Sequence, residues 1–240
     1  MGTLAEKCKT VRLPYAAAVI VAGGSGSRFG GDKLMADLAG MPVLAHTLLA
    51  FEAVQAIREI VLVTREESME AVADLCRMYH ISKISNIVSG GDTRAQSSLA
   101  GVMAVSPKAE LIAIHDGARP LVTEDVITDA LWTAYRHTAA LPAVSVRDTI
   151  KVASDGVVTD TPDRASLYAA QTPQCFQADL IRAALMDTVR NAPGVTDDCL
   201  AVERVGGKIY LSKGSEENIK ITTPMDMKIA EAILAERKTR

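Results

Sequence analysis

The apolar run Ala16-Ala17-Ala18-Val19-Ile20-Val21 passes directly into Ala22-Gly23-Gly24-Ser25-Gly26-Ser27-Arg28-Phe29-Gly30-Gly31-Asp32-Lys33. Such a segment has to be a strand that ends in a tight, glycine-rich loop. Glycines let the backbone turn sharply and bring N–H groups close to phosphate oxygens, and Arg28 and Lys33 can neutralise charge that builds up between phosphates. The combination points to a triphosphate seat and to phosphate chemistry. Two other glycine signatures fail on residue identity. A dinucleotide fingerprint requires a small residue where Phe29 stands and a ribose-binding acid after the second strand, which ends at Thr64. A Walker loop requires Gly-Lys-Ser/Thr opening a helix, whereas Lys33 lies between Asp32 and Leu34. The glycines alone would also suit a plain βα turn with solvated charges, so the rest of the chain decides.

Apolar runs near 15–22, 58–64, 84–89, 110–115 and 141–147 alternate with helical patterns near 42–54, 66–79, 94–105 and 123–138. This rhythm predicts an α/β fold with a doubly wound, mostly parallel sheet. Ligands in such sheets sit beyond the carboxyl ends of the strands, and Gly23 to Lys33, Gly90 to Ser97 and Asp116 to Arg119 all follow strand ends. Three loops should therefore converge on one rim. After Arg147 the pattern breaks, and Asp148 to Thr161 reads as two short strands around an Asp155-Gly156 turn. An isolated hairpin is rarely stable, so this arm, at about 148–163, is a candidate dimerisation element, with an ordinary surface hairpin as the alternative. A helix near 178–190, another starting at Thr196, a strand near 208–212 and a last helix from Thr223 complete the pattern. Thr223 can cap that helix, Pro224 fits its first turn and Asp226 favours its dipole, while Met227, Ile229, Ala230, Ile233 and Leu234 form an apolar stripe read as core.

The 240 residues, 48% hydrophobic but only 4% aromatic, suit one large domain spanning 1–240 with a core of small aliphatic side chains. With a net charge of −3 and no block of like charge, nothing argues for a nucleic-acid surface. An anionic small molecule would have to be held by local cations. No apolar run is long enough to span a bilayer and Met1 to Leu13 lacks a signal-peptide core, so no membrane role and a cytoplasmic location are expected. Cys8, Cys76, Cys175 and Cys199, like His46, His80, His115 and His137, are too scattered for a zinc or redox site. The cysteines read as reduced packing residues.

Seven segments in register resemble the 2-C-methyl-D-erythritol 4-phosphate cytidylyltransferase family. They are Ala22 to Arg28 with Lys33; Gly90-Gly91-Asp92-Thr93-Arg94-Ala95-Gln96-Ser97; His115-Asp116-Gly117-Ala118-Arg119-Pro120; Val146 to Lys151; Gln171-Thr172-Pro173-Gln174; Val195-Thr196-Asp197-Asp198; and Asn218 to Thr222. The resemblance implies a Rossmann-like nucleotidyltransferase fold with a protruding hairpin arm, and attack of a polyol phosphate on the α-phosphorus of CTP with release of pyrophosphate. Two anions must be brought together and transition-state charge spread, so cations should be decisive. The resemblance assigns Arg28 and Lys33 to transition-state stabilisation. It places Ala22, Gly23, Gly24, Ser25, Gly26, Gly90, Gly91, Asp92, Arg94, Ser97, Asp116 and Gly117 around CTP. Arg164 and Lys220 would position the acceptor, supported by Arg119, Thr149 and Thr196. Magnesium would be held mainly by the CTP phosphates, with Asp116 as a candidate ligand, and the arm would carry Thr149 and Arg164 to the other subunit of a homodimer. Around Lys33 the chain departs from the family, which commonly has Pro before and Gln after this lysine.

Each assignment has a plainer reading. Ser97 would serve equally in the first turn of a helix, Arg119 could simply pair with Asp116, and Asp163-Arg164 could be a surface ion pair contributing at most about 1 kcal/mol. Three other functions remain open at this level: a ribitol 5-phosphate cytidylyltransferase, a sugar-1-phosphate nucleotidyltransferase, and a nucleotide-binding regulator without catalysis.

Overall fold

The computed structural model of the chain describes residues 13–23, 29, 31–191, 195 and 197–239. Its first strand, β1 (Ala16–Val21), is followed by a two-residue ladder of β2 (Asp37–Leu38) and β3 (Met41–Pro42), then helix α1 (Val43–Ala53) and strand β4 (Ile57–Thr64). Helix α2 (Met69–Met78), strand β5 (Ile84–Ser89), helix α3 (Arg94–Ala104), strand β6 (Leu111–Asp116), helix α4 (Glu124–His137) and strand β7 (Ala139–Ser145) continue the alternation. The hairpin β8 (Val152–Ser154) and β9 (Val157–Asp160) comes next, then β10 (Tyr168–Ala170), β11 (Gln174–Gln177), α5 (Ala178–Asn191), α6 (Asp198–Arg204), β12 (Tyr210–Lys213) and α7 (Pro224–Thr239).

Strands β5, β4, β1 and β6 run side by side and parallel, and β11 is inserted antiparallel between β6 and β7. Ala143 of β7 pairs with both Ala170 of β10 and Lys213 of β12, so those two strands lie on opposite edges of β7. Strand β12 is thus one border of the sheet and β5 the other. In β1 the side chains of Ala16, Ala18 and Ile20 enter one apolar core, while Ala17 and Val19 enter a second core on the other face. The same two-sided split holds for Ile60 and Leu62 against Val61 and Val63 in β4. A strand covered by helices on both faces has no polar side to show, which is why these segments read as continuous apolar runs.

Four strands depart from the sequence expectation, two of them the two-residue β2 and β3. Neither β10 nor β11 is anticipated, because β11 is only four residues long and carries a glutamine at each end. Helix α6 begins at Asp198 with Asp197 as its cap, whose carboxylate accepts the Leu200 N–H at 2.8 Å, rather than at Thr196, which lies outside the described residues. The stripe on α7 is also less buried than expected. Only Ala230 is fully enclosed; Met227, Ile233 and Leu234 pack partly against the core, and Ile229 is 44% exposed. The helix lies on the outside of the molecule, so one narrow line of its surface is covered.

The arm forms as expected, with Asp155 at φ 51° and Gly156 at φ 80°, the left-handed pair that a tight hairpin turn demands. All residues of β8 and β9 are exposed, and the two strands pair only with each other. Cys76, Cys175 and Cys199 are buried and unbridged, while Cys8 lies outside the described residues. Among the described residues no helix is long and apolar enough to cross a membrane.

Helix α3 crosses the sheet at Gly101, where an added Cβ would press on Val19 and stand 2.6 Å from Val63 Cγ2. Helix propensity favours Gly→Ala by about 1 kcal/mol, whereas overpacking against stiff β-branched neighbours costs about 1–3 kcal/mol. Gly101→Ala should therefore destabilise the fold by roughly 1 kcal/mol and Gly101→Val by more. Urea unfolding followed by circular dichroism checks this, and a stabilised Ala variant would refute the close contact.

Candidate active site

The order β5-β4-β1-β6 reverses its direction of growth between β1 and β6, so their carboxyl ends splay into a crevice. On the last rung Val21 stands opposite Asp116, and the loop after β5 arrives from the same side. The result is a cleft of about 380 Å³ that brings together Ala22, Gly23, Lys33, Gly91, Asp92, Arg94, Ser97, Asp116 and Lys220. Gly117 and Gly90 hold its walls, donating their N–H groups to Val21 and Thr64 carbonyls at 2.9 and 2.8 Å. Gly24, Ser25, Gly26, Arg28 and Thr196 lie outside the described residues. Thr149 and Arg164 are exposed at the base of the arm, where Arg164 donates to the Arg147 carbonyl at 2.9 Å, and neither lines the cleft.

Asp116 is the centre of the site. It is only 6% exposed, and three cations converge on it: Arg94 Nη1 at 2.5 Å on Oδ1, and Lys220 Nζ at 2.8 Å and Arg119 Nε at 3.5 Å on Oδ2. Burial by itself would raise the Asp116 carboxyl, but Arg94, then Lys220 and Arg119, hold it well below the usual carboxylate range. Arg94 also reaches back to the buried Asp198, with Nη2 at 2.9 Å from Oδ2. Burial works against the Arg94 charge, yet Asp198 and Asp116 together keep the guanidinium more firmly protonated than usual. Burial pushes the Asp198 carboxyl up against the pull of Arg94, so three cations face Asp116 and Asp198 with a positive surplus, as an anionic ligand requires.

Gln171, Thr172 and Gln174 fix these groups from below. Gln171 exchanges hydrogen bonds with the Ser215 backbone, at 2.8 and 3.2 Å, and Asn218 donates to the Thr172 carbonyl at 2.9 Å while its own carbonyl accepts from Arg119 Nη1 at 2.8 Å. This pins the segment that carries Lys220. Gln174 Oε1 accepts the N–H groups of Asp198 and Cys199, both at 3.0 Å, and its Nε2 donates to Asp197 at 3.1 Å. The Asp116 N–H donates to Thr172 Oγ1 at 3.2 Å, which leaves the hydroxyl proton for His115 Nδ1 at 2.9 Å. His115 therefore carries its proton on Nε2 and donates it to the Arg119 carbonyl at 3.2 Å, bracing the turn from Asp116 to Arg119.

Two further devices shape the mouth. A reciprocal cap between Thr93 and Gln96 starts α3 so that Arg94 is its first residue, and Ser97 Oγ both donates to and accepts from the Gly91 backbone at 3.2 Å. On the other side Lys33, half-buried, stands between two anchors. Asp32 accepts the Leu34 N–H at 3.1 Å, and Leu34 is buried in the core with its carbonyl accepting from Leu44 N at 2.9 Å. Asp32 and Leu34, the departures from the family pattern, are thus what hold the lysine turn here.

Asp198, His115, Thr172 and Gln174 stand in the quoted segments, but sequence reasoning gave them no role in the site. Their signal was present only as short polar motifs, since each acts on a partner far along the chain. Among the described residues no group of three or more His, Cys, Asp or Glu could hold a metal ion by itself.

The model of the 2-C-methyl-D-erythritol 4-phosphate cytidylyltransferase family matches residues 16–236. A protein of that name from Caldanaerobacter subterraneus subsp. tengcongensis is 42% identical over 221 residues, covering 90% of this chain and 97% of the relative. Another from Clostridium novyi is 42% identical over 226 residues, covering 92% and 97%. The crystal structure of 4-diphosphocytidyl-2C-methyl-D-erythritol synthase from Anaerococcus prevotii superposes with a TM-score of 0.83 at 33% identity, over 92% of this chain and 96% of that one.

Burial pushes the His115 imidazole down to about 3, against the pull of Asp116 toward the charged form. A folded-state value below the unfolded value of about 6.5 means that the unfolded chain binds a proton the folded one refuses. This contribution is whole above pH ~6.5 and is lost as pH falls toward about 3, with a slope of up to about 1.4 kcal/mol per pH unit. Unfolding free energies measured from about pH 7 down to about pH 4 should fall more steeply for the native chain than for His115→Gln. Equal slopes would mean that His115 takes up a proton in the folded state.

Proposed function

The chain belongs to the 2-C-methyl-D-erythritol 4-phosphate cytidylyltransferase family, and from that premise we propose how its own groups move CMP from CTP to 2-C-methyl-D-erythritol 4-phosphate. An acceptor phosphate oxygen attacks the α-phosphorus of CTP. The new P–O bond forms as the bond to the β-phosphate bridging oxygen breaks, and pyrophosphate leaves with the electron pair. The products are 4-diphosphocytidyl-2-C-methyl-D-erythritol, a precursor in non-mevalonate isoprenoid biosynthesis, and pyrophosphate. The observation that carries this reading is the convergence of Lys220, Arg94 and Arg119 on Asp116 at the switch-point cleft, with Lys33 on the facing wall. Two tetrahedral anions can be held together only where positive charge is preorganised.

In this proposal Lys33, with Arg28 from the glycine-rich loop, stabilises the charge of the pentacoordinate phosphorus and of the leaving pyrophosphate. The loop from Gly90 to Asp92, closed against Ser97, encloses the cytosine and leaves no room for a purine. Lys220 faces the acceptor phosphate, and Arg119 supports it through the Asn218 carbonyl. An ionised carboxylate on the wall fits magnesium, which binds through one or two carboxylates and retains phosphates and waters. Asp116 would hold the ion, largely shared with the phosphates because both its oxygens already meet cations, and the ion would neutralise triphosphate oxygens. The cytoplasm, where CTP is retained, is the proposed compartment. The relatives are named for the methylerythritol acceptor, which favours it over ribitol 5-phosphate and over a catalytically silent binder.

A homodimer completes the proposal. Val157 and Val158 are 67% and 55% exposed on a hairpin that pairs only with itself, and such a hairpin is marginal in water. Crossing to a second copy would cover these side chains and bring Thr149 and Arg164 to the other cleft.

Pyrophosphate release with CTP and magnesium should occur with methylerythritol 4-phosphate and not with ribitol 5-phosphate; the opposite preference would move the chain to polyol metabolism. Arg28→Ala and Lys33→Ala should each lower turnover by about 10²–10³-fold with folding intact. Normal turnover in either removes its role. Mixing inactive Arg164→Ala and Lys33→Ala subunits tests the arm, because a mixed dimer regains one unmutated site only if Arg164 serves the partner. Recovery of activity on mixing is expected, and no recovery would place Arg164 in its own subunit's site.

A further inference from the structure

Asp198 takes no part in the transfer as described, yet it is more deeply buried than any other described carboxylate, at 1% exposed. Its backbone is held by Gln174 Oε1, a side chain whose amide end is occupied in turn by the helix cap Asp197. Among the described residues its carboxylate has one cationic partner, Arg94, and Arg94 spans from Asp198 to Asp116 with one nitrogen on each. Among the described residues the Arg94 Nε is buried without a hydrogen-bond partner, so the two forked contacts aim the guanidinium.

This arrangement decides what Arg94 can do in a cleft it helps to line. Between two carboxylates a single guanidinium keeps no surplus attraction for a triphosphate. With only Asp116 to hold it, the same group would swing toward the phosphates. It would then bind ground state and transition state alike, and it would release Asp116 Oδ1. Such uniform binding raises affinity without raising the rate of the chemical step.

We propose that Asp198 is a positioning residue for the transfer, acting through Arg94: it holds the guanidinium on Asp116 and withholds it from the triphosphate. The proposal rests on the cytidylyl transfer set out above. Its signature differs from that of a merely structural residue, whose loss weakens nucleotide binding and turnover together. Replacing the Asp198 carboxyl by an amide should tighten CTP while slowing the reaction, and only where Arg94 is present.

The test is a double-mutant cycle of Asp198→Asn and Arg94→Gln, reading CTP affinity by calorimetry with magnesium and kcat by pyrophosphate release. Asp198→Asn should bind CTP at least about 3-fold more tightly with kcat lower by about 10-fold or more. In the Arg94→Gln background the same substitution should change neither quantity by more than about 2-fold. Weaker CTP binding with lower kcat, equal effects in both backgrounds, or native kcat in Asp198→Asn would each overturn the proposal. Should the buried Asn variant fail to fold, Arg94→Lys carries the test, since lysine keeps the charge but cannot fork to two carboxylates. A loss of about 10-fold in kcat with CTP bound at least as tightly is expected there, and full kcat overturns the proposal. A native chain that binds CTP and shows the coupling but ignores methylerythritol 4-phosphate would sink the acceptor reading alone. Normal native turnover without the coupling would sink the Asp198 role alone, and a native chain without affinity for CTP would sink both.

Discussion

A carboxylate removed from water is tolerable only when cations and donors surround it, and Asp116 sets that condition for the rest of the site. Its backbone is fixed by the β1–β6 ladder and by Thr172, so the cations have to come to it. Arg94 arrives from the first turn of α3, Arg119 from the turn that follows β6, and Lys220 from the segment before α7. Three parts of the chain that stand far apart in the sequence, at positions 94, 119 and 220, are thereby drawn to one point. The crevice at the switch point supplies the space, and this ion cluster supplies its sign.

Antiparallel β11, set into an otherwise parallel region, supports the cluster in a way a parallel strand would not. The turn entering it carries Gln171 and Thr172 past the carboxyl end of β6, where each buried polar atom finds a loop to bind. Buried polar groups have to be paired, so these side chains act as rigid spacers between the segments that carry Asp116, Lys220 and Asp198. The same logic leaves His115 neutral. A protonated imidazole would lose the hydroxyl proton it accepts from Thr172 and would lie unhydrated against the Phe51 ring, 4.8 Å away between centroids.

Legibility followed the range of the forces involved. Strands β1, β4 and β6 could be read because burial on both faces writes itself into consecutive residues. The convergence of Gly23, Gly91, Asp116 and neighbouring groups on one rim followed from strand ends alone, and Lys220 came only from the family resemblance. Gln174 and Thr172 were quoted but given no role, because a glutamine or threonine declares nothing until its partner is known, and the His115 partner of Thr172 lies 57 residues away. Asp198 gave no signal because the helix was read as starting at Thr196, which puts both aspartates in its first turn, whereas Asp197 is the cap and Asp198 the buried acid behind it. The α7 stripe misled for the opposite reason, since its period was right but only a narrow line of it meets the core.

The three cations around Asp116 are not equivalent. Arg94 is tied to two carboxylates, and Arg119 to Asp116 and the Asn218 carbonyl, with side chains 24% and 13% exposed. Lys220 meets only Asp116 among the described residues and is 38% exposed. A lysine is also a point charge on a flexible stem, whereas the Arg94 guanidinium loses two directed bonds when it turns away and Arg119 loses its bond to the Asn218 carbonyl. In the proposed reaction an arriving phosphate would therefore displace the Lys220 contact at the least cost, and Asp116 would keep its place because Arg94 and Arg119 do not follow. The site can then exchange one ion pair for another without surrendering the geometry that the buried carboxylate imposes.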